Sequence, residues 1–306
     1  MDEIMRVLPD SIRRHLQELS ESERSQLEEI RIRIFRPVEI LLGGGHLFLP
    51  YAASPDDGQV LLNEISGFSI YTLEEELRRG YITISGGHRI GLAGKVITAG
   101  GRVKMIRDVT SFNIRVAKQK IGAADPLHPV LFNGYWMNTL IVGPPQTGKT
   151  TLLRDLARII SSGTDSEKSR KVGIVDERSE IAGCVNGIPQ HELGHRVDVL
   201  DSCPKAEGMM MMIRSLSPDV MIADEIGSSE DCGAIMEAVH AGVRIIVSAH
   251  GFDAEDAAKR PSILPLFENR VFERVIELSR KNGVRSLRIL DADLNLVSGE
   301  ERIWSS

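Results

Sequence analysis

A glycine-rich stretch near the middle of the chain has the residue types and the spacing that bind phosphate. Residues 143–151 read GPPQTGKTT and directly follow the apolar run TLIV. The stretch matches G-x-x-x-x-G-K-[ST] at every fixed position, and in this pattern backbone N–H groups turn toward phosphate oxygens where a helix begins. Lys149 is expected to reach the β- and γ-phosphates, and the hydroxyl of Thr150 to bind Mg²⁺. The predicted ATP site consists of Gly143, Pro144, Pro145, Gln146, Thr147, Gly148, Lys149, Thr150 and Thr151.

Two further apolar runs each end in an acidic pair. Asp176 and Glu177 close the run in GIVDERSE, and Asp224 and Glu225 close the run in VMIADEIG. A P-loop enzyme needs an acid that holds Mg²⁺ and, when it hydrolyses the nucleotide, a group that orients water. Either pair has the chemistry for these tasks. The alternative for each aspartate is a helix N-cap, because aspartate at a strand-to-helix turn often caps the helix.

A histidine follows the fourth apolar run of the C-terminal half. His250 lies in SAHG at residues 248–251. Because open α/β sheets bind ligands at the carboxyl ends of their strands, this side chain is predicted at the same sheet edge as the P-loop. There it could sense the γ-phosphate or carry a signal to a neighbouring subunit. The alternative is a hydrogen-bonded histidine of the core.

Two arginines of the N-terminal half are candidates for a contact between subunits. Arg89 lies in HRIGLAG and Arg115 in NIRVAK, both within short strands that glycines interrupt. An arginine of one subunit can stabilise the triphosphate bound by the next, as arginine fingers do in trans. Arg89 and Arg115 are therefore the predicted trans arginines, and the alternative for each is a solvated surface charge.

One short stretch matches a different catalytic motif. HELGH at residues 191–195 has the letters of the zinc-peptidase pattern H-E-x-x-H. That chemistry requires a helix, so that two histidines four residues apart share one face with the glutamate beside them. Gly187, Pro189 and Gly194 disfavour a helix here, and no convincing third ligand follows. The match is interpreted as accidental, so no zinc site is predicted.

The elements that position these residues indicate two domains and a connector. Residues 2–29 have helical spacing of apolar residues, and the alternation in EIRIRIFRPVEILL predicts a strand. Residues 1–117 are thus predicted to form a small α+β domain, and residues 118–137, with two prolines and two glycines, a connector. Within residues 138–306 the runs TLIV, KVGIVD, DVMIAD and RIIVSA alternate with helical stretches, which predicts an α/β domain with a mostly parallel sheet.

Composition and charge limit the classes of function. The chain has 306 residues, of which 42% are hydrophobic and 26% charged, as in ordinary globular proteins. A net charge of −6 argues against a surface that binds nucleic acid throughout. Three dispersed cysteines suggest a reducing compartment, and no apolar stretch reaches the roughly 20 residues that span a bilayer. The chain is predicted to be cytoplasmic, with any membrane role exerted through a partner.

The order of the motifs is familiar from known proteins. The P-loop, the acidic box VDERSE, the strand SPDVMIADEIG and the histidine box SAHG together resemble the secretion ATPase superfamily of type II and type IV systems. EEIRIRIFRPVEI, SGGHRIGLAGKV and RVDVLDSCPKAEGMMMMIRSLSPDV resemble, in addition, the stage III sporulation AA family of endospore-forming bacteria. This resemblance extends from about residue 25 to residue 290.

The resemblance implies an ATPase with a RecA-like core that forms hexameric rings and binds ATP and Mg²⁺. The implied place is the mother-cell cytoplasm, peripheral to the membrane channel complex that connects to the forespore. Lys149 and Thr150 carry over as ligands of phosphate and Mg²⁺, Asp224 and Glu225 match the Walker B region with Asp224 as the Mg²⁺ ligand, and His250 matches the histidine box.

The acidic motifs depart from the superfamily at two positions. Pilus motors typically begin the acidic box with Glu-Asp, where this chain has Asp176 and Glu177, and many secretion ATPases have Gly-Glu where this chain has Asp224 and Glu225. The catalytic acid therefore stays open among Asp176, Glu177 and Glu225.

A second function is a P-loop ATPase that works on nucleic acid. Some relatives of this nucleotide domain are joined to a small module that binds single-stranded nucleic acid. No such basic tail follows residue 290, because the end DADLNLVSGEERIWSS is acidic or neutral. The secretion-type reading is therefore favoured, and nucleic acid is not an expected partner.

Overall fold

The computed structural model describes residues 1–67, 77–78, 80–164, 167–281, 284–297 and 302–303. The chain forms two compact units, Met1–Lys118 and Gln119–Ser306. Each unit contains its own sheet and its own hydrophobic core. An α+β part thus precedes an α/β core, which confirms the predicted fold class.

The first unit begins with three short helices followed by a strand: α1 (Asp2–Val7), α2 (Asp10–Gln17), α3 (Glu21–Gln26) and β1 (Leu27–Arg33). The helical prediction for residues 2–29 is therefore wrong in its continuity and in its end. Pro9 precedes α2 with φ −55°, and the Ser20 side chain accepts a hydrogen bond from the backbone N–H of Glu23 in a capping box. Proline interrupts a helix because it has no N–H to donate within it, and the capping box starts a new helix because it satisfies N–H groups that lack an intrahelical partner.

The remaining elements of the first unit complete an antiparallel sheet. They are β2 (Pro37–Leu42), β3 (Gly45–Ala52), α4 (Pro55–Ile65), β4 (Tyr81–Ile84), β5 (His88–Ala99) and β6 (Arg102–Arg115). The strand order is β3-β2-β1-β6-β5-β4, and every pairing is antiparallel. Ile30 and Ile32 of β1 are fully buried, so the alternation of the sequence places one face of β1 on the core.

The second unit alternates strands and helices over most of its length. Its elements are α5 (His128–Leu131), β7 (Thr139–Val142), α6 (Lys149–Ser162), β8 (Val172–Asp176), β9 (Val197–Asp201), α7 (Lys205–Ser215), β10 (Val220–Ala223), α8 (Ser229–His240), β11 (Arg244–Ala249), α9 (Ala254–Ala258), α10 (Leu264–Glu268), β12 (Arg274–Lys281), β13 (Val284–Leu290) and β14 (Arg302–Ile303). The strand order is β14-β13-β12-β7-β11-β10-β8-β9. The pairings from β12 to β9 are parallel, and β13 and β14 add antiparallel strands at one edge.

Both faces of this sheet are covered. In β7, Ile141 belongs to the same buried cluster as Leu152 and Leu156 of α6. Its neighbour Leu140 belongs to a second cluster that contains Ile235 of α8. Successive side chains of a strand point to opposite faces, so continuously apolar strands are buried between helices on both sides.

Residues that precede β7 pack into the core of the second unit. Leu127, Leu131 and Trp136 are buried in the cluster formed with α6. The Asp155 carboxylate of α6 accepts hydrogen bonds from the backbone N–H groups of Gly122 and Ala124, at 3.2 and 2.8 Å. These contacts tie the segment to the nucleotide-binding half of the chain.

Across the part of the chain that the structure describes, no helix combines the length and the hydropathy that crossing a bilayer requires.

Candidate nucleotide-binding site

The strand ends of the second unit gather the predicted site residues at one edge of the sheet. Residue pairs Ala249 and Val142, and Ala223 and Val247, lie opposite each other in the parallel pairings. The P-loop, the Asp224–Glu225 pair and the histidine box begin at these strand ends. They therefore lie side by side at one edge of the sheet. Open parallel sheets bind ligands at this edge.

The loop between β7 and α6 is tightly held and requires glycine at its first position. A Cβ on Gly143 would lie 2.6 Å from the carbonyl oxygen of Leu278 and 2.8 Å from Oγ1 of Thr147. The Thr147 hydroxyl donates to the carbonyl oxygen of Pro144 at 2.8 Å. Gly148 has φ +102°, a conformation that side chains disfavour. The backbone shape is thus built from contacts within the loop.

The first turn of α6 can bind an anion. Its N-cap, Gly148, provides no side-chain cap, and no acidic residue occupies the first turn. By contrast α8 begins with a capping box in which the Ser228 side chain accepts a hydrogen bond from the Asp231 N–H. The first N–H groups of a helix lack intrahelical partners and carry a partial positive charge. This helix start therefore fits a phosphate group.

Lys149 is the central cation of the site and is only 5% exposed. Its Nζ donates to the carbonyl oxygens of Gly143 and Pro144, at 2.8 and 3.2 Å. Burial lowers the pKa of Lys149, while the negative charges of Asp224, Glu225 and Glu180 raise that pKa. The ammonium group thus lies in a partly desolvated position surrounded by acids, where its charge acts strongly on a bound phosphate.

Asp224 joins the P-loop helix to β11. The hydroxyl of Thr150 donates to Oδ2 of Asp224 at 2.5 Å, and the hydroxyl of Ser248 donates to Oδ1. A carboxylate and a threonine hydroxyl at this separation supply oxygen ligands that Mg²⁺ prefers in nucleotide sites. The donor set therefore fits Mg²⁺ at Thr150 and Asp224.

Glu225 and His250 form a hydrogen-bonded chain with the P-loop lysine. Nζ of Lys149 lies 3.3 Å from Nδ1 of His250, and Nε2 of His250 lies 2.7 Å from Oε1 of Glu225. Because a lysine ammonium only donates, Nδ1 accepts and the imidazole proton is on Nε2, which donates to the carboxylate. Arg178 forms an ion pair with the same carboxylate.

The backbone of Glu225 is strained. Its φ is +54°, which is uncommon outside glycine, and its N–H donates to Oγ of Ser248 at 2.9 Å. Ser248 therefore supports both acids that follow β10, since it also donates to Asp224. Such conformations persist where surrounding contacts impose them, and they cluster at functional sites.

The two acids that follow β8 have other surroundings. The buried Asp176 carboxylate accepts hydrogen bonds from the backbone N–H groups of Glu180, Ile181 and Ala182, at 2.8, 3.0 and 2.8 Å. Burial raises the pKa of Asp176, and these hydrogen bonds lower it. Glu177 is half-exposed and forms an ion pair with Lys205. The structure thus brings Asp224, Glu225 and His250 together with Lys149, and it engages Asp176 and Glu177 elsewhere.

Four side chains that contact or act electrostatically on the site residues were not predicted from the sequence: Ser248, Arg178, Glu180 and Arg154. The negative charge of Glu180 acts on both Lys149 and Arg154. Nε of Arg154 donates to the carbonyl oxygen of Ile181 at 2.7 Å, and burial lowers the Arg154 pKa to about 10. A signal existed for Arg154, because an arginine lies among apolar residues one turn after Thr150. For Ser248 the only signal was its position on the strand that ends at His250.

The predicted trans arginines lie side by side in the first unit. Arg89 of β5 and Arg115 of β6 are directly opposite in the antiparallel pairing, so their side chains project from the same face. The Arg89 guanidinium stacks 3.9 Å from the centroid of the Tyr81 ring. Nε of Arg115 lies 3.4 Å from Oε1 of Glu29, and the Arg115 side chain is 63% exposed.

The HELGH segment has no helical conformation. Gly194 has φ +86°, and both backbone groups of Glu192 bond to the side chain of Gln119, at 2.7 and 2.8 Å. The two histidines therefore do not share the face of a helix, which the zinc-peptidase motif requires. Among the described residues no group of three or more histidine, cysteine, aspartate or glutamate side chains could hold a metal ion.

The fold is similar to those of solved secretion ATPases. The ATPase DotB of Legionella pneumophila superposes with a TM-score of 0.65 at 16% identity, covering 94% of this chain and 82% of DotB. The pilus retraction motor PilT, solved with bound ADP, superposes with a TM-score of 0.62 at 17% identity, covering 94% of this chain and 82% of PilT. At these identities the likeness concerns the fold alone.

Sequence comparison gives a closer relationship. The chain is 58% identical over 299 residues to the stage III sporulation protein AA of Bacillus subtilis (strain 168), and the match covers 97% of each protein. The profile of the family described as "Sporulation stage III, protein AA" matches residues 1–291. The resemblance found in the motifs is thereby confirmed, and the chain belongs to the stage III sporulation protein AA family.

Proposed function

We propose that this protein is a Mg²⁺-dependent ATP hydrolase that works as an oligomeric motor or assembly ATPase. The observation that carries the proposal is the junction at the sheet edge, where Lys149 and Thr150 meet Asp224. A phosphate-binding loop, a hydroxyl and a carboxylate at this junction are the parts that bind a nucleotide together with its metal ion.

The P-loop residues are assigned to binding and to charge stabilisation. The first N–H groups of α6 hold phosphate oxygens, and Lys149 exchanges its carbonyl partners for the β- and γ-phosphates. Thr150 and Asp224 hold Mg²⁺, which supplies positive charge beside the transferred phosphoryl group when it is bound. These fixed groups stabilise charge that develops as the terminal phosphate departs.

Glu225 and His250 are assigned to the attacking water. Glu225 is a carboxylate whose charge acts on Lys149, and His250 fixes its orientation through the 2.7 Å contact. Glu180 is a second acid near the same lysine. Asp176 is assigned to holding the loop after β8, because three backbone N–H groups occupy its carboxylate, and Glu177 to a surface ion pair.

Assembly is assigned to the part of the chain outside the nucleotide loop. We propose that residues 1–117 act as an N-terminal domain, joined through residues 118–137 to the ATPase domain 138–306. In a hexameric ring, Arg89 and Arg115 of one subunit would approach the triphosphate held by the next. An arginine in trans would couple hydrolysis to movement between subunits.

The family gives the proposed cellular setting. A stage III sporulation protein with a secretion-ATPase fold suits a motor on the mother-cell side of the channel to the forespore. The chain would then act in the cytoplasm, at the face of a membrane complex whose spanning segments belong to partner proteins.

The first expected result concerns the metal. The purified protein should hydrolyse ATP with Mg²⁺, and chelation by EDTA should reduce the rate by at least on the order of 10²-fold, because without the cation the Asp224 carboxylate would repel the phosphates and their charge would be less neutralised. Release of inorganic phosphate measures the rate. Re-addition of Mg²⁺ restores activity if the metal is required, and a rate that EDTA leaves unchanged would contradict the proposal.

Mixed subunits test the trans arginines. The double variant Arg89→Ala/Arg115→Ala and the variant Lys149→Ala should each be inactive alone. Mixed in equal amounts, they should recover about a quarter of the wild-type rate, because a quarter of random interfaces pair an intact loop with intact arginines.

The control mixture pairs the same double variant with a chain that carries all three substitutions. That mixture contains no interface with both intact parts, so it should stay inactive. Equal activity in the two mixtures would exclude action in trans. Arg89 is half-buried and Arg115 is 63% exposed, so the double variant is expected to keep the fold.

A further inference from the structure

The run of four methionines on α7 divides between the core and the surface. Met209 and Met212 are buried at 1% and 0% exposure, whereas Met211 is 51% exposed and Met210 is partly buried. Helical periodicity explains the division, because residues three apart share a face. Met210 still packs against the edge of the core cluster, whereas Met211 lies outside that cluster and requires a separate explanation.

Met210 and Met211 line a groove between α7 and α8, with a volume of about 510 Å³. On α7 the groove is lined at positions 206, 207, 210, 211 and 214, and on α8 at positions 230, 233, 234 and 237. Apart from position 206, both sets follow the i, i+3, i+4, i+7 spacing of one helix face. The groove therefore runs between one face of α7 and one face of α8, and we call it the α7–α8 groove.

The floor of the α7–α8 groove is apolar and adaptable. Methionine supplies a flexible thioether on one side, and Gly233 and Ala234 leave open space on the other. A Cβ built on Gly233 meets no atom within 4 Å. Flexible methionines facing small residues are typical of surfaces that accept the apolar stripe of another helix.

The rim of the α7–α8 groove is acidic. Three carboxylates, those of Glu207, Glu230 and Glu237, accompany a single guanidinium, that of Arg214. None of these four side chains forms an ion pair with any residue that the structure describes. The rim therefore carries a net charge of −2 beside an apolar floor, and it complements a segment with positive charges beside an apolar stripe.

We propose that the α7–α8 groove binds an amphipathic helix of a partner protein, whose apolar stripe is flanked by lysines or arginines. The lined stripes extend over seven residues, about 10 Å at 1.5 Å per residue, so the groove holds about two turns of the partner helix. A second copy that presents the same groove is a poorer occupant. A symmetric contact of two such grooves would set three carboxylates against three.

A designed peptide tests the groove directly. The probe is an 18-residue helix with leucines on one face and lysines on the other. A scrambled peptide of the same composition is its control. In protein labelled with ¹³C at the methionine methyl groups, the probe should shift the signals of Met210 and Met211 and leave Met105 of the first unit unchanged. The scrambled peptide should shift neither.

Substitutions in the groove locate the binding. Gly233→Leu fills the floor without a clash and replaces a helical glycine by a better helix former, so it should fold normally and bind the probe at least tenfold more weakly. Gly233→Ala is the matched control and should bind within about twofold of the wild type, since one methyl group fits the open space.

A pair of charge variants distinguishes binding through the rim carboxylates from non-specific electrostatic attraction to an acidic protein. Glu207→Gln/Glu237→Gln should weaken binding about tenfold, a loss of about 1.4 kcal/mol. Glu18→Gln/Glu28→Gln removes the same charge from exposed positions of the first unit and should have no effect.

Three outcomes would overturn the proposal. The first is equal binding to Gly233→Leu and wild-type protein, and the second is equal binding of a peptide with glutamates in place of the lysines. The third is self-association that Gly233→Leu abolishes, because the occupant would then be a second copy. None of these measurements includes nucleotide, so their failure is distinct from failure of the proposed ATPase activity.

Discussion

Lys149→Ala is expected to abolish ATP hydrolysis and to leave the fold intact. The ammonium group lies where the loop carbonyls and three acids meet, and burial strengthens its electrostatic effect on a bound phosphate. Removal of one preorganised charge at a transferring phosphoryl group should lower the rate by at least on the order of 10³-fold. The measurement is steady-state phosphate release, with circular dichroism and thermal unfolding as checks of the fold.

Lys259→Ala is the matched control for the first prediction. Lys259 is 78% exposed and pairs weakly with Glu255 at 3.8 Å, so its loss removes the same charge from a solvated helix surface. Its hydrolysis rate should equal that of the wild type. Normal turnover by the Lys149→Ala protein would remove the basis for assigning the loop to catalysis.

Glu225→Gln is expected to lower kcat and to preserve nucleotide binding. Glutamine keeps the shape of the side chain, and its single amide oxygen can still accept a hydrogen bond from His250. It loses the ion pair with Arg178 and the negative charge that attracts a proton from water. General-base catalysis typically contributes between 10² and 10⁴ in rate, so kcat should fall by a factor in that range. Binding of a fluorescent ATP analogue should change by less than about threefold, because Glu225 is not assigned to the phosphates.

Two further glutamate variants show which acid acts on the water. Glu177→Gln is the control, because this carboxylate pairs with Lys205 at the surface, and its kcat should match the wild type. Glu180→Gln tests the other acid whose charge reaches Lys149. A large loss in Glu180→Gln with normal turnover in Glu225→Gln would move the assignment from Glu225 to Glu180.

Local sequence patterns are sufficient to predict the P-loop and the core strands of the second unit. The loop works through consecutive backbone groups, so residues 143–151 are sufficient to predict it, although the close approach of Leu278 to Gly143 is visible only in the structure. The strands of the second unit are buried on both faces, and continuous apolar runs predict that burial directly. The α/β class follows from the same alternation of runs and helices.

Local sequence patterns fail to predict the structure where a tertiary contact or a single residue at a helix end determines the conformation. The apolar spacing of residues 2–29 is genuine, but Pro9 and the capping box at Ser20 divide it into three helices, and pairing with β6 makes Leu27–Arg33 a strand. The four methionines of α7 are likewise identical in residue type but differ in their environments. Only packing against the sheet separates the buried pair from the pair in the groove.

The roles of the acids depend on residues that are far apart in the chain. Register between β10 and β11 brings Ser248 to Asp224, and the loop after β8 brings Arg178 to Glu225. Residue types and spacing alone predict two Asp-Glu pairs at strand ends with the same chemistry, and the catalytic acid stays open among Asp176, Glu177 and Glu225. The tertiary structure distinguishes them, because three backbone N–H groups occupy Asp176 whereas Asp224 contacts the P-loop threonine. The sequence determines which residues are acids and where they follow the strands. The environment that distinguishes one acid from another forms only when the strands pair.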